Sequence, residues 1–185
     1  MKNVKLAARY AKALHDFSLE KGKIEQVYQD ILLVQSVLKE NRSLDIVIES
    51  PIIPHATKVK TFAGIFKEKI DAISFGFLRL VIDKKREPEL LIICEEFIKL
   101  YNRFHNIKVV NFITAKEVNP VLLNKLTALM QEKTGATIKL QVTISPDIIG
   151  GFVLKMEDFV YDESIKKQIN ILKREFSHNI YQAGF

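Results

Sequence analysis

The chain has 185 residues, 48% hydrophobic and 27% charged, a balance that suits one folded domain or two small ones. Its one cysteine, Cys94, excludes an internal disulfide and a cysteine-based zinc site, and no apolar run approaches the ~20 residues that cross a bilayer. The net charge of +6 raises nucleic acid as a partner, but Lys and Arg are spread along the chain beside acids, as in Lys67-Glu68-Lys69.

Met1 to Phe17 is basic and amphipathic, like a transit peptide, yet Asp16 and Glu20 interrupt it and serines are scarce. It reads better as a first helix. Periodicity predicts helices at about 3–20, 24–39, 43–49, 55–69, 71–84 and 89–105. Gly22 separates the first two, and Ser50-Pro51 with Ile53-Pro54 makes an extended connector. Pro88 suits the opening turn of the last of these helices, and the short connections imply a bundle.

The first and fifth predicted helices carry excess apolar surface. A helix on one neighbour needs an apolar arc of roughly 100°, whereas both of these span roughly 220°. One reading makes them the central helices of the bundle. The other makes the surplus a groove for an amphipathic helix of another protein, lined by Leu6, Tyr10, Ala13 and Phe17 opposite Phe77, Leu78 and Val81. Tyrosine favours such half-wet positions.

The pattern changes after His105. Ile107 to Thr114 is β-branched and aromatic, and Ile138, Leu140, Val142 and Ile144 alternate with polar residues. Phe152, Leu154 and Met156 give a third strand, and Phe159 to Tyr161 a short fourth. Pro120 to Lys133 reads as a helix closing at Gly135, and Ile165, Ile169, Leu172 and Phe176 stripe a final one. The expected fold is α+β: a six-helix bundle over residues 1–105, then a small C-terminal α/β-sheet domain over 106–185.

No catalytic, cofactor or metal residues emerge. His15, His55, His105 and His178 are far apart and suit surface or cap positions. Cys94, among Leu91, Ile92, Ile93 and Phe97, reads as a small buried hydrophobe. Gly150-Gly151 lacks the rest of a phosphate loop and instead permits a turn or bulge entering a strand. Asp158 falls at a hairpin turn, and Asp162 is placed to cap the last helix.

Taken in order, these segments resemble the delta subunit family of the F-type ATP synthase, relatives of the mitochondrial oligomycin-sensitivity-conferring protein. Ala7-Ala8-Arg9-Tyr10-Ala11-Lys12-Ala13-Leu14 is similar to the family's opening helix, and Ser50-Pro51-Ile52-Ile53-Pro54 with Lys58 to its connector. Leu80 to Arg86 resembles the stretch closing the helical domain, and Gly150-Gly151-Phe152 through Asp158, Asp162, Ser164 and Ile165 is the most specific match. The family usually has glycine where Glu157 and Glu163 stand, which predicts something other than a two-residue turn with positive φ at Glu157-Asp158.

The resemblance implies a stator subunit that catalyses nothing. Its first and fifth helices would grip the N-terminal helix of an alpha subunit, and its C-terminal domain would meet the C-terminal region of the b subunits. It further implies a heteromeric complex, no nucleic acid, no direct membrane insertion, and a peripheral place on the cytoplasmic face of a bacterial inner membrane. Two rival readings remain open from the residues: a nucleic-acid-binding module using the basic run from Lys166 to Arg174, and a small enzyme acting through Asp158 and Asp162.

Overall fold

The computed structural model describes residues 3–41, 44, 46–47, 50, 53–157 and 159–178. Backbone contacts divide the chain into two compact units, Met1–His105 and Asn106–Phe185.

The helices of the first unit are α1 (Val4–Glu20), α2 (Ile24–Glu40), α3 (His55–Phe66), α4 (Ala72–Asp83) and α5 (Leu90–Phe104). The short helix expected at 43–49 lies largely outside the described residues, so the described bundle has five helices rather than six. The helix expected at 71–84 is therefore α4. Local chemistry sets the ends. The Asn3 side chain accepts from the Leu6 N–H at 3.1 Å, and Asp71 accepts from the Ile73 N–H at 2.9 Å, each meeting an otherwise orphaned donor. Pro88 sits in a short 3-10 turn, Glu87–Glu89, that leads into α5.

Helix α1 packs on α5, and its Ala7 and Ala11 are both fully buried. Phe62, Phe66, Leu78, Ile93 and Phe97 fill the interior. Three charged side chains are buried with partners, as burial of a charge requires. Asp30 on α2 accepts from the Asp71 N–H at 2.9 Å and the Ser74 hydroxyl at 2.6 Å, which clamps the start of α4. Lys58 meets Glu87 at 3.1 Å, tying α3 to the turn before α5. His15 departs from expectation: it is neither surface nor cap but buried edge-on against Phe97 and Phe104, because it shares a face of α1 with Leu14 and Ser18.

The second unit runs β1 (Ile107–Thr114), α6 (Pro120–Thr134), β2 (Thr137–Ile144), β3 (Phe152–Met156), β4 (Phe159–Asp162) and α7 (Ile165–His178). The sheet order is β2-β1-β3-β4, with β1 and β2 parallel across the α6 crossover and the remaining pairs antiparallel. Asn119 caps α6 ahead of Pro120, and Gly135 at φ +62° closes it. The register places Val110, Phe112, Leu140 and Leu154 on one face, which carries the core.

Two local assignments change. Met156 pairs with Phe159, so the β3–β4 connection has two residues after all, and Glu157 takes φ +50° without being glycine. Asp158 lies outside the described residues. The cap of α7 is Ser164, whose Oγ accepts from the Lys167 N–H at 3.1 Å. Asp162 stands two residues too early for that role and accepts from the Ser164 N–H at 2.9 Å, holding the cap in place. That hydrogen bonding from Ser164 keeps its carboxyl below the usual carboxylate range. Gly151 has φ +74°, and a Cβ there would overlap the Glu163 carbonyl oxygen; the glycine is required as much by this close backbone approach as by the turn. At Gly150 a Cβ would lie 2.6 Å from the flexible Ile165 Cδ1.

Candidate binding groove

Winding α1 at about 100° per residue splits its wide apolar arc into two. Ala7, Ala11, Leu14, His15 and Ser18 span about 100° and are all buried. Ala13, Leu6, Phe17 and Tyr10 form a second band of about 60° beside it. Helix α4 divides the same way: Ser74, Leu78, Val81 and Ile82 are its buried band, and Gly76, Leu80, Ile73 and Phe77 the other.

The two spare bands face one open groove of about 920 Å³. One wall carries Leu6, Tyr10, Ala13 and Phe17, with Leu14 behind; the other carries Ala72, Ile73, Gly76, Phe77 and Leu80. Phe17 and Leu80, each 45% exposed, are large apolar side chains left in water. Arg9 and Arg86 complete the lining.

Leu6, Tyr10, Ala13, Phe17 and Phe77 thus come together as their positions suggested. Leu78 and Val81 do not: both are 0% exposed and belong to the core. The cause is Asp30. By binding Asp71 and Ser74 it turns the Ser74 side of α4 inward, which sends Ile73, Gly76 and Leu80 to the groove instead. A serine inside an apolar arc, opposite an acid on another helix, was the available signal. Gly76 leaves room, since a Cβ there would meet nothing within 4 Å.

The groove offers apolar area and no reacting group. The Cys94 thiol is buried elsewhere and pushed up to about 12 by that burial, leaving no thiolate nucleophile at neutral pH. Among the described residues no cluster of three or more His, Cys, Asp or Glu is arranged to hold a metal ion. No described helix is long and apolar enough to cross a membrane.

The second unit also leaves apolar surface in water, but as projecting side chains. Phe176 and Leu172 on α7 are 76% and 50% exposed, and Phe159 on the edge strand β4 is 75% exposed.

Comparison with known proteins agrees along the whole length. The family profile of the ATP synthase delta (OSCP) subunit matches residues 6–176. The chain is 31% identical over 185 residues to ATP synthase subunit delta of Christiangramia forsetii, covering 98% of each chain. It is 32% identical over 180 residues to that of Cytophaga hutchinsonii, covering 97% of this chain and 98% of the relative. In fold it is similar to a chain in the Toxoplasma gondii mitochondrial ATP synthase hexamer, with a TM-score of 0.75 at 21% identity over 93% of this chain and 97% of that one. The chain belongs to the ATP synthase delta (OSCP) family, whose members are structural, non-catalytic subunits of the enzyme's peripheral stalk.

Proposed function

We propose that the first unit anchors this stalk subunit to the catalytic head by taking the amphipathic N-terminal helix of an alpha subunit into the α1–α4 groove. The observation that carries the reading is the groove itself: apolar residues of two helices, spare to the core, line one concave surface of about 920 Å³. The α1 wall from Leu6 to Phe17 is about 17 Å long, enough for three turns of a docked helix. Burial of apolar side chains in such a groove gives the slow dissociation that a stator under torque needs; exposed ion pairs contribute too little. The second unit meets the C-terminal region of the b subunits through the exposed apolar residues of α7 and β4. The assembly sits on the cytoplasmic face of a bacterial inner membrane.

Gly76→Leu tests the groove directly, because a Cβ at this exposed position meets no atom within 4 Å and the rest of the side chain extends from a residue that lines the groove. The variant is expected to melt normally and to lose binding of an alpha-subunit N-terminal peptide by a hundredfold or so, about 2.7 kcal/mol. Tyr10→Asp and Ala13→Asp are expected to weaken it as well. Undiminished binding in all three places the peptide elsewhere and ends the reading. In the rival nucleic-acid reading the basic run from Lys166 to Arg174 is reduced by one member, since the Lys167 ammonium donates to the Asp162 carbonyl at 3.0 Å.

A further inference from the structure

The groove is apolar along its length but charged at one end. The C-terminal end of α1 is fixed beside the start of α4, because Lys23, just past α1, meets Asp71 at 2.7 Å. From there α1 and α4 line the groove in opposite chain directions. Phe17 therefore faces the Ala72–Ile73 end, while Arg9 and Arg86 fall toward the other. Both arginines are exposed, and no hydrogen bond or ion pair engages either side chain among the described residues. Two of the acids near Arg86 in the chain are already engaged, Asp83 by His55 at 2.9 Å and Glu87 by the buried Lys58, and Glu89 does not pair with it. On the other side Lys23 is neutralised by Asp71, and the Lys21 ammonium lies over the Phe17 ring, 5.5 Å from its centroid.

We infer that the groove selects a helix bearing carboxylates beside its apolar stripe, at the end that meets Arg9 and Arg86, and so fixes the direction in which the helix lies. This rests on the reading that the groove takes a helix. Apolar burial alone is nearly indifferent to direction, because a stripe of leucines fits a smooth groove either way round. A pair of unpaired guanidiniums at one end is not indifferent. Placed against a carboxylate at the rim of an apolar contact they form forked, charge-assisted hydrogen bonds. Reversing the helix leaves both arginines without partners and carries the carboxylate to an end where the nearest ammonium, Lys21, is held over the Phe17 ring. Rim charges of this kind act mainly through encounter rate and orientation.

The test is calorimetric titration of the full chain with the alpha-subunit N-terminal peptide and with a copy in which its Asp and Glu are Asn and Gln. Arg9→Gln and Arg86→Gln, both on exposed positions, are expected to weaken the native peptide about threefold each and about tenfold together at low salt. The amide copy is expected to bind wild type about tenfold more weakly, and to be blind to the arginine substitutions. High salt should narrow all these differences. If wild type binds both peptides equally and the arginine variants bind like wild type, the inference is overturned while the groove reading stands. If Gly76→Leu also leaves binding intact, both fall together.

Discussion

The two units handle apolar surface in different ways. Among the described residues, twenty buried apolar side chains fall in Met1–His105 and five in Asn106–Phe185. The first unit has interior to spare, with aromatic rings such as Phe62, Phe66 and Phe97 wholly enclosed, and keeps its surplus in a concave groove. The second has a thin core around Val110 and Phe112, and its surplus projects from α7 and β4. A groove walled by a well-packed bundle is preformed, so a partner helix finds it rigid. A projecting stripe on a thin core gains order from whatever covers it.

The sharpest way to break this contrast lies at two neighbouring residues of α4. Leu78 is in the core and Phe77 on the groove wall. Leu78→Ala is expected to destabilise the chain by about 2–5 kcal/mol, through lost transfer energy and the cavity left behind. Phe77→Ala removes a larger side chain yet is expected to cost less, about 1–2 kcal/mol, since the ring lines an open groove and is only partly buried. Urea denaturation of both variants decides it. Equal losses would mean that the groove wall is part of the core.

In the second unit the largest single effect is expected from backbone rather than packing. Gly151→Ala puts a Cβ onto the Glu163 carbonyl and holds alanine at positive φ, so it should cost about 2 kcal/mol or more. Gly150→Ala meets only the end of the Ile165 side chain, which can rotate away, and should cost less than half as much. With so thin a core, the loss at Gly151 should unfold the second unit before the first, visible as two transitions.

Much of this architecture was legible in the residues. Alternation from Ile138 to Ile144, the Asn119-Pro120 helix start and the Gly135 stop each state one local preference that nothing overrides. The groove was legible only as a surplus. Periodicity measures the width of an apolar arc and is silent on which half meets the core. On α1 the arc from Leu6 to Phe17 happened to lie on the free side; on α4 the Asp30–Ser74 contact, linking residues 44 apart, decided otherwise for Leu78 and Val81. His15 was misplaced for a similar reason, since a polar ring on a helix does not announce that Phe97 and Phe104 will cover it. The Glu157 turn shows the opposite failure: the strand register imposed by Phe112–Leu154 and Leu154–Tyr161 pairing outweighs a local penalty of about 1–2 kcal/mol for non-glycine at positive φ.

Acid should separate the units by a smaller margin. Asp71 is held below the usual carboxylate range, chiefly by the Lys23 hydrogen bond and then by the Ile73 N–H. Asp162 is lowered in the same direction by Ser164. A carboxyl whose folded value is depressed contributes stability above its unfolded value near 4, and that contribution is lost as pH falls through the folded value. Denaturation midpoints followed from neutral pH downward should therefore hold until about pH 4 and then decline. Asp71→Asn should flatten the decline of the first unit only, and Asp162→Asn that of the second only. A slope unchanged by either would show that the caps are not what titrates.

The smallest effect concerns Gly76, and its sign is the informative part. A glycine in a helix interior is worse than alanine by about 0.8–1 kcal/mol, from the entropy its free backbone loses on folding. Nothing in this fold requires that loss: Gly76 is in the middle of α4, and a Cβ there meets no atom within 4 Å. Gly76→Ala is thus expected to stabilise the isolated chain by somewhat under 1 kcal/mol, measured as a raised urea midpoint at unchanged slope. The same methyl lies in the groove, where it narrows the space left for a helix packing across α4. A gain in stability together with a few-fold loss of peptide affinity would show that the glycine serves the partner rather than the fold. If alanine instead destabilises the free chain, the space at Gly76 is already filled in solution, and the groove is narrower than its walls imply.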